Sequence, residues 1–385
     1  MKKSVLQALL QYSFFGILKR FDRVTHIGLE AHLISTIDWL LYAQTMNIDG
    51  GLSASYNFLK CQWAPSYPEV TGYTIPTLLR YAKRYARDNI HNVVFKMIEY
   101  ELDIQHNEGG IPCTINWNNN QIRSIAFDTG QVLFGLLAAN EEFGDDRFLD
   151  AAARAGDWLV ASQAKDGSWQ DYHNYDSSLT IDARVAWPLI LLYKRVGKRD
   201  YLETSYRQLE WVLGQQNLNG WFQNCSFNPI HPPITHTLAY TIEGLLESGL
   251  LLGEQQMVIA ARQAADAILE QLKPSGFLPG AFDEKWKPRV SWNCLTGSAQ
   301  MALIWLRLAK ITGLPKYRYI ADRTIKFIAS TQFLNDLPQE LLGGIAGSYP
   351  IFGRYMFYKF PSWAVKFFAD TIMALEEENY PKFPG

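Results

Sequence analysis

Asp157-Trp158-Leu159-Val160-Ala161-Ser162-Gln163-Ala164-Lys165-Asp166-Gly167-Ser168-Trp169 carries the last turns of an amphipathic helix into a glutamine, a polar turn and a glycine before a large aromatic. The same order of residues recurs along the chain. It appears at Gln44 to Gly50-Gly51-Leu52, at Gln105 to Gly109-Gly110-Ile111, at Gln215 to Gly220-Trp221 and at Gln271 to Gly276-Phe277. A stretched copy runs from Gln332 to Gly343-Gly344-Ile345. The spacing is roughly 50 to 60 residues, and a repeat of that size builds a ring, a solenoid or a propeller.

Two kinds of helix alternate around this signal. The segments before each glutamine, about 29–45, 90–105, 147–163, 199–215, 255–272 and 316–332, are apolar on one face and charged on the other. One-sided burial is the mark of an outer layer. The segments about 71–86, 128–143, 182–197, 236–252, 296–313 and 361–377 are apolar nearly all round and rich in small residues, which places them inside. Six outer and six inner helices close into an all-α (α/α)6 toroid over residues 29–385. The last segment, with Ser362-Trp363-Ala364-Val365, lacks the polar face that an open solenoid needs at its end. Pro188 is expected to bend its inner helix.

Connections from inner to outer helix are a few residues long, whereas those from outer to inner run about 18 to 28, far beyond the usual 4–6. Alternating helix direction gathers the long connections on one face, where the inner helices begin, and a site belongs at that mouth. The helix starts there hold Tyr67, Glu69 and Tyr73, then Asp128, Asp182 with Arg184, and His236. A purely structural reading is available for each. Thr, Asp and Ser are preferred N-caps, and Asp128 with Gln131 has the spacing of a capping box. The functional reading takes Glu69, Asp128, Asp182 and His236, with Tyr67 and Tyr73, as the acid–base set. Glycoside cleavage uses two carboxyl groups across the scissile bond. Proton abstraction beside a uronate carboxylate uses a base and a second acid such as Tyr or His.

Of twelve tryptophans, six fall in the long loops. Trp169 and Trp221 directly follow the glycine signal and are expected to wedge repeats together. Trp117, Tyr172, Trp286, Trp292 and Tyr358 are candidates for stacking on sugar rings, and Arg184 and Arg354 for an anionic group. Inner-helix N-termini converging on the mouth add partial positive charge.

The chain's 385 residues have a formal net charge of −2, which argues against nucleic acid as the partner. Cys61, Cys113, Cys225 and Cys294 lie far apart, as expected of reduced thiols in a cytoplasmic protein. His231 and His236 sit too loosely for a zinc site, and no phosphate loop or nucleophile elbow occurs, so neither metal nor cofactor is expected. Residues 1–28 read as an amphipathic helix and lead-in. Lys19-Arg20-Phe21-Asp22-Arg23 stands where a signal peptide would be cleaved. This helix either packs on the ring or attaches weakly to a membrane surface through its basic flanks, peripheral to the inner membrane.

Gln163-Ala164-Lys165-Asp166-Gly167-Ser168-Trp169 resembles the Q-x-x-x-G-x-W repeat of terpenoid cyclases, which supports the toroid. The Asp-rich motif of that chemistry is absent. Pro65-Ser66-Tyr67-Pro68-Glu69-Val70-Thr71-Gly72-Tyr73 and Phe127-Asp128-Thr129-Gly130-Gln131 resemble the VpsJ-like bacterial toroid proteins. That resemblance implies a role in exopolysaccharide or surface-glycan biosynthesis. The layout is also similar to six-hairpin glycosidases, uronate lyases and glucuronyl C5-epimerases. The expectation is an enzyme acting by acid–base chemistry on an anionic, uronate-containing glycan, as a hydrolase or as a uronate lyase or epimerase. The rivals are a non-catalytic glycan-binding scaffold and a terpenoid cyclase-like enzyme.

Overall fold

A computed structural model describes residues 28–114, 123–172 and 179–377; the N-terminal helix expected over 1–27 lies outside them. Twelve α-helices follow one another among the described residues. The outer ones are α1 Leu29–Gln44, α3 Asn89–Ile104, α5 Asp146–Ser162, α7 Arg199–Gly214, α9 Gln255–Leu269 and α11 Pro315–Thr331. The inner ones are α2 Pro68–Tyr85, α4 Ala126–Phe143, α6 Ala183–Val196, α8 Thr235–Leu252, α10 Leu295–Thr312 and α12 Ser362–Glu376. Burial follows the sequence pattern. Every residue of α8 from Thr235 to Gly249 is buried, whereas α5 buries only one face, through Phe148, Ala151, Ala152, Ala155, Gly156, Trp158 and Leu159. Helix α6 runs unbroken through Pro188.

Each inner helix packs on the next, from α2 through α12, and α12 packs on both α1 and α2, so the ring is closed. A short sheet repeats this closure among the loops. Strand β1 (Ser55–Asn57) lies between β2 (Gln62–Trp63) and β5 (Lys359–Pro361), with Tyr56 opposite Phe360. Strands β3 (Asn293–Cys294) and β4 (Ser348–Tyr349) pair separately.

The repeated glutamine acts as a staple. Gln163 Nε2 donates to the Gly167 carbonyl at 2.8 Å and to the Thr204 carbonyl of the following outer helix at 2.9 Å. Gln105 binds Gly109 and Ala151 in the same way, both at 2.9 Å. In the fourth repeat the staple is Gln216, bonded to Gly220 and Ala260, rather than Gln215 as the spacing suggested. Helix α7 ends at Gly214, so Gln215 is its C-cap and bonds Asn224 instead. The stretched copy shuts the ring: Gln332 Oε1 accepts from His32 Nδ1 at 2.6 Å, and its Nε2 donates to Thr36 Oγ1 and Gly343 O, both at 2.7 Å. Gly343 has φ +81°, and a Cβ there would run into the Ser35 carbonyl. Glycine is needed for both reasons.

The long connections 45–67, 105–125, 163–182, 215–234, 270–294 and 332–361 all lead into inner-helix N-termini. The returns 86–88, 144–145, 197–198, 253–254 and 313–314 are the short turns at the other end.

Candidate active site

The structural alternative for the mouth residues was capping, and the geometry does not use them so. None of the six inner helices has a side-chain hydrogen bond at its N-cap; the N-cap residues are Tyr67, Ile125, Asp182, Ile234, Cys294 and Pro361. The expected capping box is absent because Asp128 lies inside the first turn of α4, and Gln131 turns to accept from Arg184 Nε at 2.9 Å. Threonines fix the helix starts instead. Thr71 Oγ1 accepts from Leu52 N and Thr129 Oγ1 from Ile111 N, each at 2.9 Å. Every such bond ties the residue after a glycine signal to the inner helix that follows.

Asp128 and Glu69 come together because α2 and α4 pack unusually close. A Cβ on Gly72 would sit 2.6 Å from Val132 Cα, so no larger residue permits this crossing. The hydroxyl of Tyr67 lies between the two carboxyl groups. It donates to Asp128 Oδ1 at 3.4 Å and also reaches Glu69, which accepts from Tyr240 Oη at 3.2 Å. Asp128 is 1 % exposed, while Glu69 is half-buried in the first turn of α2.

Their environments push the two acids apart in strength. Burial raises Glu69 to about 7, against hydrogen bonds from Tyr67 and Tyr240 and the charge of Arg184, which all favour its anion. Burial and then the nearby Glu69 charge push Asp128 well above the usual carboxylate range, which favours its protonated form. Two carboxyl groups on one tyrosine hydroxyl cannot both ionise cheaply. The pair thus holds two carboxyl groups of unlike proton affinity, the arrangement that an acid and a base require.

Other predicted residues gather around this pair. His236 is buried and neutral, lowered to about 4 mainly by burial; its Nδ1 bonds Gln300 Oε1 at 2.6 Å. With the proton on Nδ1, Nε2 presents a lone pair. The His236 ring lies 4.3 Å from Tyr240 and 5.6 Å from Tyr355, whose hydroxyl accepts from Trp363 Nε1 at 2.7 Å. Tyr73 is buried, with the Lys366 ammonium 5.1 Å from its ring centre. Asp182 is fully buried at the start of α6, the next inner helix round from α4.

Arg184 lies deeper than a ligand-binding arginine at a rim. It pairs with Glu243 and is enclosed by the rings of Phe134, Trp187, Tyr240 and Phe367 at 5.2–5.4 Å. Trp286, expected at the ligand, instead serves the loops. Its indole donates to Asn219 O at 3.0 Å and packs edge-on against Trp221 at 5.0 Å, with only 6 % of its surface exposed. Trp169 is fully buried and its indole donates to Leu159 O in the helix just before it. Tyr172 packs edge-on against Trp158, and Trp292 covers Gly280. Arg354 is exposed and Tyr358 half-buried on the loop before α12. Trp117 lies outside the described residues.

Several participants were not singled out from sequence. Tyr240, Gln300, Glu243 and Lys366 read as core or helix-face residues, and Tyr355 only as one of the long-loop aromatics. Glu101, on outer helix α3, is buried with neither carboxylate oxygen hydrogen-bonded. Burial, then the charge of Asp128, raises it well above its ordinary value. Gln300 Nε2 and Asn293 Nδ2 are buried donors without partners at the head of α10, the kind of atom a bound hydroxyl or carboxylate satisfies. Among the described residues, no group of three His, Cys, Asp or Glu side chains converges to hold a metal, and no helix is long and apolar enough to cross a membrane.

Fold and mouth together define an (α/α)6 toroid of the six-hairpin type. No family model and no curated protein matches the chain. Solved structures do. The chain is similar to an unsaturated glucuronyl hydrolase specific for heparin, with TM-score 0.70 and 13% identity over 90% of this chain and 97% of that one. It is similar to the unsaturated glucuronyl hydrolase of Bacillus sp. GL1, responsible for glycosaminoglycan degradation, with TM-score 0.69 and 14% identity over 90% and 97%. An alpha-amylase from Clostridium perfringens gives TM-score 0.66 and 12% identity over 89% and 97%. At such identities the likeness is one of fold.

Proposed function

We propose that this protein is a glycan-processing enzyme of the glycoside-hydrolase type, acting on an anionic, uronate-containing glycan at the inner-helix mouth. The observation that carries this reading is the Glu69–Asp128 pair, two carboxyl groups on adjacent inner helices sharing the Tyr67 hydroxyl but held at different proton affinities. Asp128 protonates the leaving glycosidic oxygen. Glu69, ionised through its hydrogen bonds to Tyr67 and Tyr240, draws the proton from the attacking water. His236 Nε2 accepts a sugar hydroxyl, and Gln300 Nε2 and Asn293 Nδ2 donate to hydroxyl or carboxylate oxygens.

Charge supports an anionic substrate. Six inner-helix N-termini converge there without side-chain caps, while Arg184 and Lys366 beneath them are already paired with Glu243 and Asp370. The fold neighbours, by name unsaturated glucuronyl hydrolases and an alpha-amylase, support hydrolysis over lyase or epimerase chemistry. The VpsJ-like resemblance supports a place in bacterial exopolysaccharide or surface-glycan metabolism, in the cytoplasm or peripheral to the inner membrane through residues 1–28.

Incubation with a panel of uronate-containing oligosaccharides in deuterated water tests the reading. New reducing ends or released uronate without deuterium at C5 is the expected result. An unsaturated product absorbing in the ultraviolet would make the protein a lyase, and deuterium at C5 an epimerase. No change across the panel would return it to a binding scaffold.

A further inference from the structure

The loop before α12 has two faces. Inward it sends Tyr355 to the site, with its ring 5.6 Å from His236 and its hydroxyl bonded to Trp363. Outward it shows Phe352 and Phe357, 58 % and 52 % exposed, on either side of the exposed Arg354.

The loop is held in this shape from within. Tyr358 N donates to Ile351 O at 3.0 Å, which closes 351–358 into a small knuckle with Phe352 and Phe357 as its next residues out. Gly353 N bonds Pro350 O, and Ser348 Oγ bonds Tyr355 O. Met356 and Tyr358 both take positive φ, at 50° and 51°, a conformation that costs a side chain energy and is kept only where the surroundings impose it.

The knuckle is joined to a second exposed turn. Phe58 N donates to Tyr358 O at 2.9 Å, the Phe58 and Tyr358 rings stack at 6.4 Å, and Leu59 beside them is 53 % exposed. The two facing segments, 55–63 and 347–361, carry Lys60, Arg354 and Lys359 and not one Asp or Glu. Apolar rings beside positive charge, on the same loop that sends Tyr355 to His236, suit the ring faces and acidic groups of an extended anionic sugar chain.

Resting on the hydrolase reading above, we propose that Phe352, Arg354 and Phe357 form an outer subsite that binds the sugars of an anionic glycan beyond those in the mouth, so the natural substrate is a chain of several units. The test titrates heparin- and chondroitin-derived oligosaccharides of two and eight sugars, with neutral malto-octaose as control, into the Glu69→Gln protein by calorimetry. The expected result is an anionic octasaccharide bound about tenfold more tightly than the disaccharide, a difference of about 1.4 kcal/mol. Adding Phe352→Ala and Phe357→Ala should bring that ratio close to one, Phe357→Tyr should keep it, and Arg354→Ala should lower it while weakening its salt dependence. Equal affinity at both lengths, an equal gain for malto-octaose, no binding at all, or a dimer that Phe352→Ala dissolves would each overturn the subsite. Turnover by the native protein without any length effect sinks this proposal and spares the hydrolase reading. Length-dependent binding without turnover does the reverse.

Discussion

Two sets of carboxylates lie in the ring, and they differ in whether a cation faces them. In the deeper set, Glu243 meets Arg184, Glu247 meets Arg307 at 2.9 Å, and Asp370 is bound by Lys366 at 2.7 Å, by Arg80 and by the Thr77 hydroxyl. Burial still raises Glu243 and Glu247, against the charges of Arg184 and Arg307, whereas Lys366 and Arg80 together hold Asp370 below its ordinary value. In the set near the mouth, Glu69, Asp128 and Glu101 have no ion pair among the described residues, and burial raises all three. A charge removed from water must be paired or must neutralise itself. The deeper acids are paired and serve as fixed structure; the mouth acids lack a paired cation among the described residues, so burial biases Asp128 toward its protonated form while Glu69, raised to about 7, can take or release a proton near neutral pH. The contrast separates scaffold from chemistry more sharply than any motif in the chain.

The largest expected effect falls on the mouth. Asp128→Asn and Glu69→Gln should each lower kcat by about 10²–10⁴ in initial-rate assays, while the thermal midpoint holds or rises because an unfavourable buried acid is gone. In the deeper set the pattern should reverse. Asp370→Ala strands Lys366 and Arg80 and should cost about 3–5 kcal/mol of unfolding free energy in urea titrations. Should Asp128→Asn unfold the protein while Asp370→Ala leaves its stability intact, the contrast is broken.

A pH series sharpens it further. Glu69 is raised to about 7 in the folded chain, so the folded state binds its proton more tightly than the unfolded state does. Its contribution is fully present below the ordinary glutamate pKa and is lost as pH rises to about 7; the Glu69→Gln protein should lack this loss. The acid limb of the kcat/KM profile should lie near the same pH, where Glu69 ionises. The smallest effect belongs to the repeat. Gln163→Ala removes two bonds to backbone carbonyls on the rim and should cost about 1–3 kcal/mol in the same urea titration, with kcat unchanged.

Much of the ring was legible because its signals are local. The helix periods, the glycine stops and the uneven loop lengths lie within single repeats, and they placed the mouth before any contact was known. Glu69, Asp128, Tyr67 and His236 could be found by position alone, as polar residues at inner-helix starts. Tyr240 and Gln300 could not, because one turn further along an apolar helix an aromatic or an amide reads as core. Glu101 sits on an outer helix, where a glutamate ordinarily faces water, and nothing in its neighbours marks it as buried. The tandem Gln215 and Gln216 differ by one residue, a shift that only the exact end of α7 resolves. For Trp286 the choice between loop wedge and sugar platform depended on Trp221 and Asn219, which lie about one repeat earlier.

The sequence by itself determined an alternating helical repeat with its connections graded by length, because periodicity and chain breaks act over a few residues. Tertiary structure decided which charges are paired. Arg184 and Glu243, or Lys366, Asp370 and Arg80, meet across helices far apart in the chain, and ionisation depends on the whole surrounding environment rather than on neighbours in sequence. The close crossing at Gly72, which sets Asp128 beside Glu69, belongs to the folded ring alone.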